Sequence, residues 1–229
     1  MVVHWLREPA VPVQFRVFRM KPKLILFDFS GTLAYLRSFD LEEFFSYLEK
    51  FGLIFLTERE KEDFIKLCQT LWGWAKDWNN LSYRLLKNYI GKPTQSLVKN
   101  LSEFLKEKII FELYEDVKEI IDLPFQKAIL SGNAKFIIED LGLEKFAKIF
   151  TPKETKFLKP DPQAFLTPLK EMKTKPEEAL MIGDELERDL IPAKNLGLEV
   201  ILIDRENKIK NSPVKKINSL KELKEILGP

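Results

Sequence analysis

One cysteine, one histidine, no excess of either charge and no long apolar run are the first features of this 229-residue chain. A lone Cys68 cannot close an internal disulfide, which argues for a reducing, cytoplasmic setting. No apolar stretch reaches the roughly 20 residues that a membrane span requires, so no membrane association is expected. Thirty-seven basic residues face thirty-five acidic ones, a formal charge of +2. That balance lacks the concentrated basic face of a nucleic-acid binder, and no nucleic-acid partner is expected. No repeat or low-complexity tract interrupts the chain. The sole histidine, His4, lies near the terminus and reads as a solvated side chain rather than a catalytic one.

The apolar share, 45%, is enough for one α/β core and a modest second unit. Residues 1–21 read as an N-terminal extension. They carry no signal-peptide pattern and are expected to remain on the mature chain, although a start at Met20 is an open alternative. Val11, Val13, Phe15 and Val17 alternate with mostly polar neighbours, the period of a half-buried edge strand.

KLILFDF at 23–29 is a short apolar run ending in an acidic residue, a buried parallel strand leading into a turn. Between 38 and 108 the period becomes helical. Asp40 caps a helix with Leu41, Phe44, Phe45, Leu48 and Phe51 on one face, and Gly52 stops it. Thr57 and Glu60, at capping-box spacing, open a second with Phe64, Ile65, Leu67, Cys68 and Leu71. Asn80 and Gly91 bracket a third; Thr94 opens a fourth with Leu97, Val98, Leu101, Phe104 and Leu105.

Beyond 113, strand and helix alternate. Strands are predicted at 127–131, around KIFTP, at 179–183 and at 199–203, with helices near 134–141, 161–172 and 187–196. Such alternation implies a parallel sheet with right-handed crossovers. The predicted fold is therefore α/β, a doubly wound parallel sheet formed by 22–36 and 110–229, with a small helical cap at 37–109 inserted after the first strand.

Four polar patches remain: Asp28 in FDFSGTL, Ser131 in ILSGNA, Lys159 in LKPDPQAF, and Asp184 with Asp189 in GDELERD. Alone, each is a weak signal, and a lone acidic residue after a strand is more often a helix cap or a solvated turn. Together, three of them end predicted strands, and open parallel sheets collect their active sites at those carboxyl ends. Asp28, Ser131 and Asp184 are predicted to converge.

These patches, in this order, resemble the four motifs of the haloacid dehalogenase superfamily, and the likeness spans almost all of residues 22–204. It implies a Rossmann-like core with a helical cap after the first motif, and a hydrolase in which Asp28 is the attacking carboxylate. LYEDVKEII at 113–121 is similar to the family's return from cap to core. The resemblance further implies Mg²⁺ as cofactor, held by Asp28, Asp184, the carbonyl of Ser30 and Asp189, which would orient a metal-bound water or Lys159. Mg²⁺ is hard and prefers oxygen ligands, which suits this set. Lys159 would offset repulsion between the nucleophile and an anionic substrate. Thr32, Ser131, Gly132, Asn133 and Lys159 would bind the phosphate; Thr32 would also steady the turn after the nucleophile. Gly31 permits a backbone conformation that a side chain would obstruct. The partner implied is a small, phosphorylated molecule, acted on by a monomer or dimer.

The chain departs from the pattern at Ser30, where most phosphatases of the family carry a second aspartate. That group protonates the leaving oxygen and then activates water. A serine hydroxyl has no pKa near neutrality and cannot do either. Three readings stay open: a phosphatase with slow turnover, a good leaving group or a borrowed proton carrier such as Glu185; a 2-haloacid dehalogenase or phosphonatase-like hydrolase; and a catalytically weak binding module. The phosphatase ranks first, because halide displacement needs no metal and the two aspartates of GDELERD would then be superfluous. Trp72, Trp74 and Trp78 cannot all face one stripe; they pack the helices, or one of them, for which Trp74 is the candidate tested by substitution, closes over substrate.

Overall fold

The structure, a computed structural model, describes residues 21–228. The expected strand at 11–17 and His4 lie outside the described residues. In chain order the elements are β1 (Leu24–Phe27), β2 (Ala34–Leu36), α1 (Leu41–Glu49), α2 (Glu58–Trp72), α3 (Trp78–Ile90), α4 (Gln95–Lys108) and β3 (Phe111–Leu113). There follow α5 (Lys118–Ile121), β4 (Gln126–Leu130), α6 (Lys135–Asp140), β5 (Lys148–Phe150), α7 (Pro152–Thr155), α8 (Pro162–Glu171) and β6 (Ala179–Gly183). The chain then runs through α9 (Ile191–Asn195), β7 (Glu199–Ile203), β8 (Lys215–Ile217) and α10 (Glu222–Leu227).

Four fully buried apolar residues make β1 a strand that is covered on both faces. It lies inside a six-stranded parallel sheet of order β5-β4-β1-β6-β7-β8. Leu24 is in register with Gln126 on one side and Ala179 on the other. Successive side chains alternate across the sheet. Ile25 and Phe27 join the larger hydrophobic cluster, which runs on into α1–α4, while Leu24 and Leu26 join the smaller one beneath α8 and α9. Truncating such a residue to alanine typically costs about 2–5 kcal/mol. The strand order reverses direction at β1, so the tips of β1, β4 and β6 surround the crevice where ligands bind in open α/β sheets.

The four helices α1–α4 lie between β2 and β3, which pair antiparallel with Ala34 opposite Leu113 and Leu36 opposite Phe111. That ribbon and strand β8 had no counterpart in the sequence reading; each is only three residues long. Asp40, Thr57 and Thr94 cap α1, α2 and α4 as expected, with the full capping box at Thr57 and Glu60. The third helix starts earlier than expected: Asp77, not Asn80, is its cap, and its side chain accepts the Asn80 N–H at 2.7 Å. Phe51 falls beyond the end of α1 and is exposed, so it does not share that helix's buried face. In α2 only Phe64 of the expected apolar set is fully buried.

The expected helix over 187–196 is two pieces. A wide π-helical turn at Leu186–Leu190 precedes α9, and Pro192, which has no N–H to donate, sits at the junction. The Leu190 N–H reaches back to the Glu185 carbonyl at 3.4 Å, and the Asp189 N–H reaches the same oxygen at 3.0 Å. Such turns recur at functional sites. Here the turn carries Asp189 under the tip of β6. Among the described residues, no helix is long and apolar enough to cross a membrane.

Candidate active site

Asp28 is the first residue after β1, Ser131 the first after β4, and Asp184 the first after β6. Parallel pairing brings these three positions to one edge of the sheet. One carboxylate oxygen from each of Asp28, Asp184 and Asp189 lies within 4.8 Å of the others. Lys159, just before α8, enters from the side. Its Nζ donates to Asp28 Oδ1 and, at 2.6 Å, to Asp189 Oδ1, and all three side chains are almost wholly buried.

Burial disfavours the charged form of Asp28, and the neighbouring Asp189 and Asp184 add to this; despite opposition from Lys159, the Asp28 carboxyl is pushed up to about 8. Asp184 is raised to about 6, again by burial first and Asp189 next. For Lys159 burial works against the charge, but Asp189 and Asp28 more than offset it, and the amine is held above its usual range. The site is therefore a cluster of crowded carboxylates with one resident cation. Asp184 Oδ1 is buried with no hydrogen-bond partner. An unpaired buried carboxylate oxygen is costly. An oxygen-only set with an unpartnered acceptor suits a hard divalent cation, so the residues fit Mg²⁺. Asp189, by contrast, is already engaged by Lys159 and, at 3.4 Å, by the Glu185 N–H.

Two glycines admit this crowding. Gly31, at φ +83°, leaves no room for a Cβ, which would collide with the Asp184 carboxylate; at Gly183 a Cβ would stand 2.8 Å from that of Asp189. The Asn133 N–H donates to Ser131 Oγ at 3.0 Å, while Asn133 Nδ2 is buried without a partner.

A cavity of about 750 Å³ opens from Asp28 toward the helices. Ser30, Ser131, Gly132, Asn133, Lys159 and Asp189 line it. Thr32 is not brought to that wall; it is fully buried in the turn, where its carbonyl accepts from Arg205 Nη2 at 2.6 Å. Nor does Trp74 line the cavity. Trp72 does, and Trp78 packs edge-on to Trp72 and Phe136.

The sequence reading missed two groups. Arg188 lines the cavity, paired at 3.4 Å with Glu185; its neighbour Asp189 drew attention away from it. Arg205 forms a clamp. It donates to both oxygens of Asp116 at 3.0 and 3.1 Å and lies over the Tyr114 ring at 3.6 Å. Ser219 and the Leu220 N–H also hold Asp116. The signal was available, because Arg205 is the second residue after β7, at the same edge of the sheet as Asp28 after β1.

The sheet order, the carboxylate trio and the buried lysine together describe a hydrolase site of a known architecture. The family model for haloacid dehalogenase-like hydrolases matches residues 22–197, and the chain belongs to that family. Among curated proteins, it is 33% identical over 96 residues to the glyceraldehyde 3-phosphate phosphatase of Methanothermobacter thermautotrophicus, covering 38% of this chain and 42% of that one. It is 53% identical over 45 residues to the phospholysine phosphohistidine inorganic pyrophosphate phosphatase of Xenopus laevis, covering 20% and 17%. These matches span less than half the length of either relative. Among solved structures, a phosphatase of the family from Thermococcus onnurineus aligns over 90% of this chain and 98% of its own, at TM-score 0.61 and 23% identity. The 2-haloacid dehalogenase of Pseudomonas syringae pv. Tomato DC3000 aligns over the same shares at 0.65 and 21%. At such identities the likeness establishes the fold.

Proposed function

We propose that the chain is a Mg²⁺-dependent hydrolase of small phosphate monoesters that acts in the cytoplasm through an aspartyl phosphate on Asp28. Residues 37–109 would serve as its cap, over a core of 22–36 and 110–229. The observation that carries this reading is the buried Asp28–Lys159–Asp189 chain beside an Asp184 oxygen without a partner. Displacement of halide would have no use for that second and third carboxylate.

Asp28, Asp184 and the Ser30 carbonyl would hold the cation, with Asp189 engaged to Lys159. When bound, magnesium neutralises carboxylate and phosphoryl charge that would otherwise repel. Asp28 attacks phosphorus through a carboxylate oxygen, the bond to the leaving oxygen breaks, and that oxygen keeps the electron pair. Lys159 stays protonated and offsets charge on the attacked group. The Ser131 hydroxyl, the Gly132 N–H and the unpartnered Asn133 Nδ2 would supply donors to the phosphoryl oxygens. Water then attacks phosphorus, inorganic phosphate leaves, and the Asp28 carboxylate is restored. Ser30 cannot give or take the protons that these steps release, so the leaving oxygen departs unassisted or draws a proton from solvent or Glu185.

The test is phosphate release from acetyl phosphate and p-nitrophenyl phosphate with Mg²⁺ and with chelator, beside halide release from 2-chloropropionate. Phosphate release that chelator abolishes is expected. Metal-independent halide release would overturn the reading in favour of a dehalogenase, and silence in every arm would favour a binding module.

A further inference from the structure

The cavity is much larger than a phosphoryl group requires, and its two ends differ in chemistry. Five of its six charged lining residues, Asp28, Lys159, Glu185, Arg188 and Asp189, come from the sheet side, and from the helices comes only Lys66. The buried part of the remaining wall is apolar: Phe44, Leu85, Leu105 and Ile109 are buried, and Ile65 and Trp72, seven residues apart, share one face of α2, whereas Gln69 and Thr70 line the cavity from exposed positions. Hydroxyl groups of a sugar set against that buried part, away from Gln69 and Thr70, would lose their water without gaining partners, at a cost. That buried part holds one unpartnered donor. The Trp72 indole Nε1 is buried with no hydrogen-bond partner, a donor awaiting an acceptor. Ser30, at the point where a leaving group would sit, supplies no acid. A leaving oxygen that is stable as an anion needs none.

Resting on the phosphatase reading, we propose that the substrates are aryl phosphates: an apolar, planar leaving group carrying a hydrogen-bond acceptor fills the helix-side wall, with its phosphate over Asp28. Attack by Asp28 breaks the phosphorus–oxygen bond, and the phenoxide leaves with the electron pair, its charge spread into the ring. Water then cleaves the aspartyl phosphate, its hydroxyl going to phosphorus and its proton to solvent.

The test separates binding from chemistry by using competitive inhibitors. With acetyl phosphate as substrate and Mg²⁺ present, 1-naphthylmethylphosphonate is expected to inhibit at least about tenfold more tightly than methylphosphonate or 2,3-dihydroxypropylphosphonate, through the apolar area it buries. Ile65→Gln should shrink that preference, and Cys68→Ser, a near-isosteric change on the same face, should shrink it less; thermal melts report whether each variant is folded. Equal or tighter binding of the dihydroxypropyl compound by the wild type would overturn this proposal alone. No phosphate release from acetyl phosphate would overturn it together with the reading on which it rests.

Discussion

Asp28, Ser131 and Asp184 hang from the tips of strands whose backbones are paired on both sides, whereas Phe44, Ile65 and Trp72 hang from helices inserted between two three-residue strands. At the sheet edge, position is imposed by main-chain hydrogen bonds, and each polar group has one place it can be. On the helix side, position results from packing among aromatic side chains such as Phe44, Phe45, Phe55 and Phe64, whose rings lie 4.9–6.3 Å apart in neighbouring pairs. The first arrangement tolerates almost no change of side chain. The second tolerates many, because apolar surface can be exchanged for other apolar surface of similar volume. On the reading proposed above, reaction type and substrate choice fall on different parts of one cavity.

Four measurements test that contrast. The largest effect belongs to Asp28→Asn, which keeps the size of the side chain and removes the proposed nucleophile; kcat for acetyl phosphate should fall on the order of 10⁴-fold or more. A fall of less than tenfold would move the attacking group elsewhere. Ser30→Asp should act in the opposite sense, raising kcat by up to about 10² for alkyl phosphates, whose leaving oxygen needs a proton, and much less for p-nitrophenyl phosphate. An equal gain on both would show that the added carboxylate is not acting as the acid.

Smaller in free energy is the dependence of stability on pH and metal. Asp28 and Asp184 have raised values in the folded protein, so without metal their contribution is present below the usual carboxylate range and is lost as pH rises through about 6 and then about 8. A cation that binds the ionised forms should offset this loss. The Mg²⁺-induced rise in Tm should therefore grow from pH 5 to pH 9, and a rise that is flat with pH would argue that the carboxylates are not its ligands. Smallest is Trp72→Phe, which keeps an aromatic wall and deletes one donor: KM for an acceptor-bearing aryl phosphate should rise by no more than about tenfold while kcat holds. Trp74→Phe, away from the cavity, should leave KM unchanged.

The same contrast explains what could be read from residues alone. The strand tips were legible because a short apolar run ending in Asp or Ser carries its own signature, and four such runs fixed both the sheet and the convergence of Asp28, Ser131 and Asp184. Three of the four caps were legible too. The Asp77 cap was missed because Asn80, three residues on, is an equally acceptable capping residue. The β2–β3 ribbon and β8 were missed because three residues are too few to establish a period. Which tryptophan meets the cavity could not be read, since that depends on how α2 is rotated against its neighbours. The π-helical turn was hidden in a segment whose composition suits an ordinary helix, and only Pro192 hinted at a break.

The Arg205 clamp has a consequence for how the molecule acquires chemistry at all. The carbonyl that it grips, on Thr32, is 173 residues away along the chain, and the carboxylate that steadies it, on Asp116, is 89 away and is itself held by Ser219 and Leu220. The turn after Asp28 is thus buttoned shut by segments synthesised long after it. A chain still emerging from the ribosome would own the Asp28 carboxylate early but lack the brace on the turn that follows it, and that brace would arrive late and all at once.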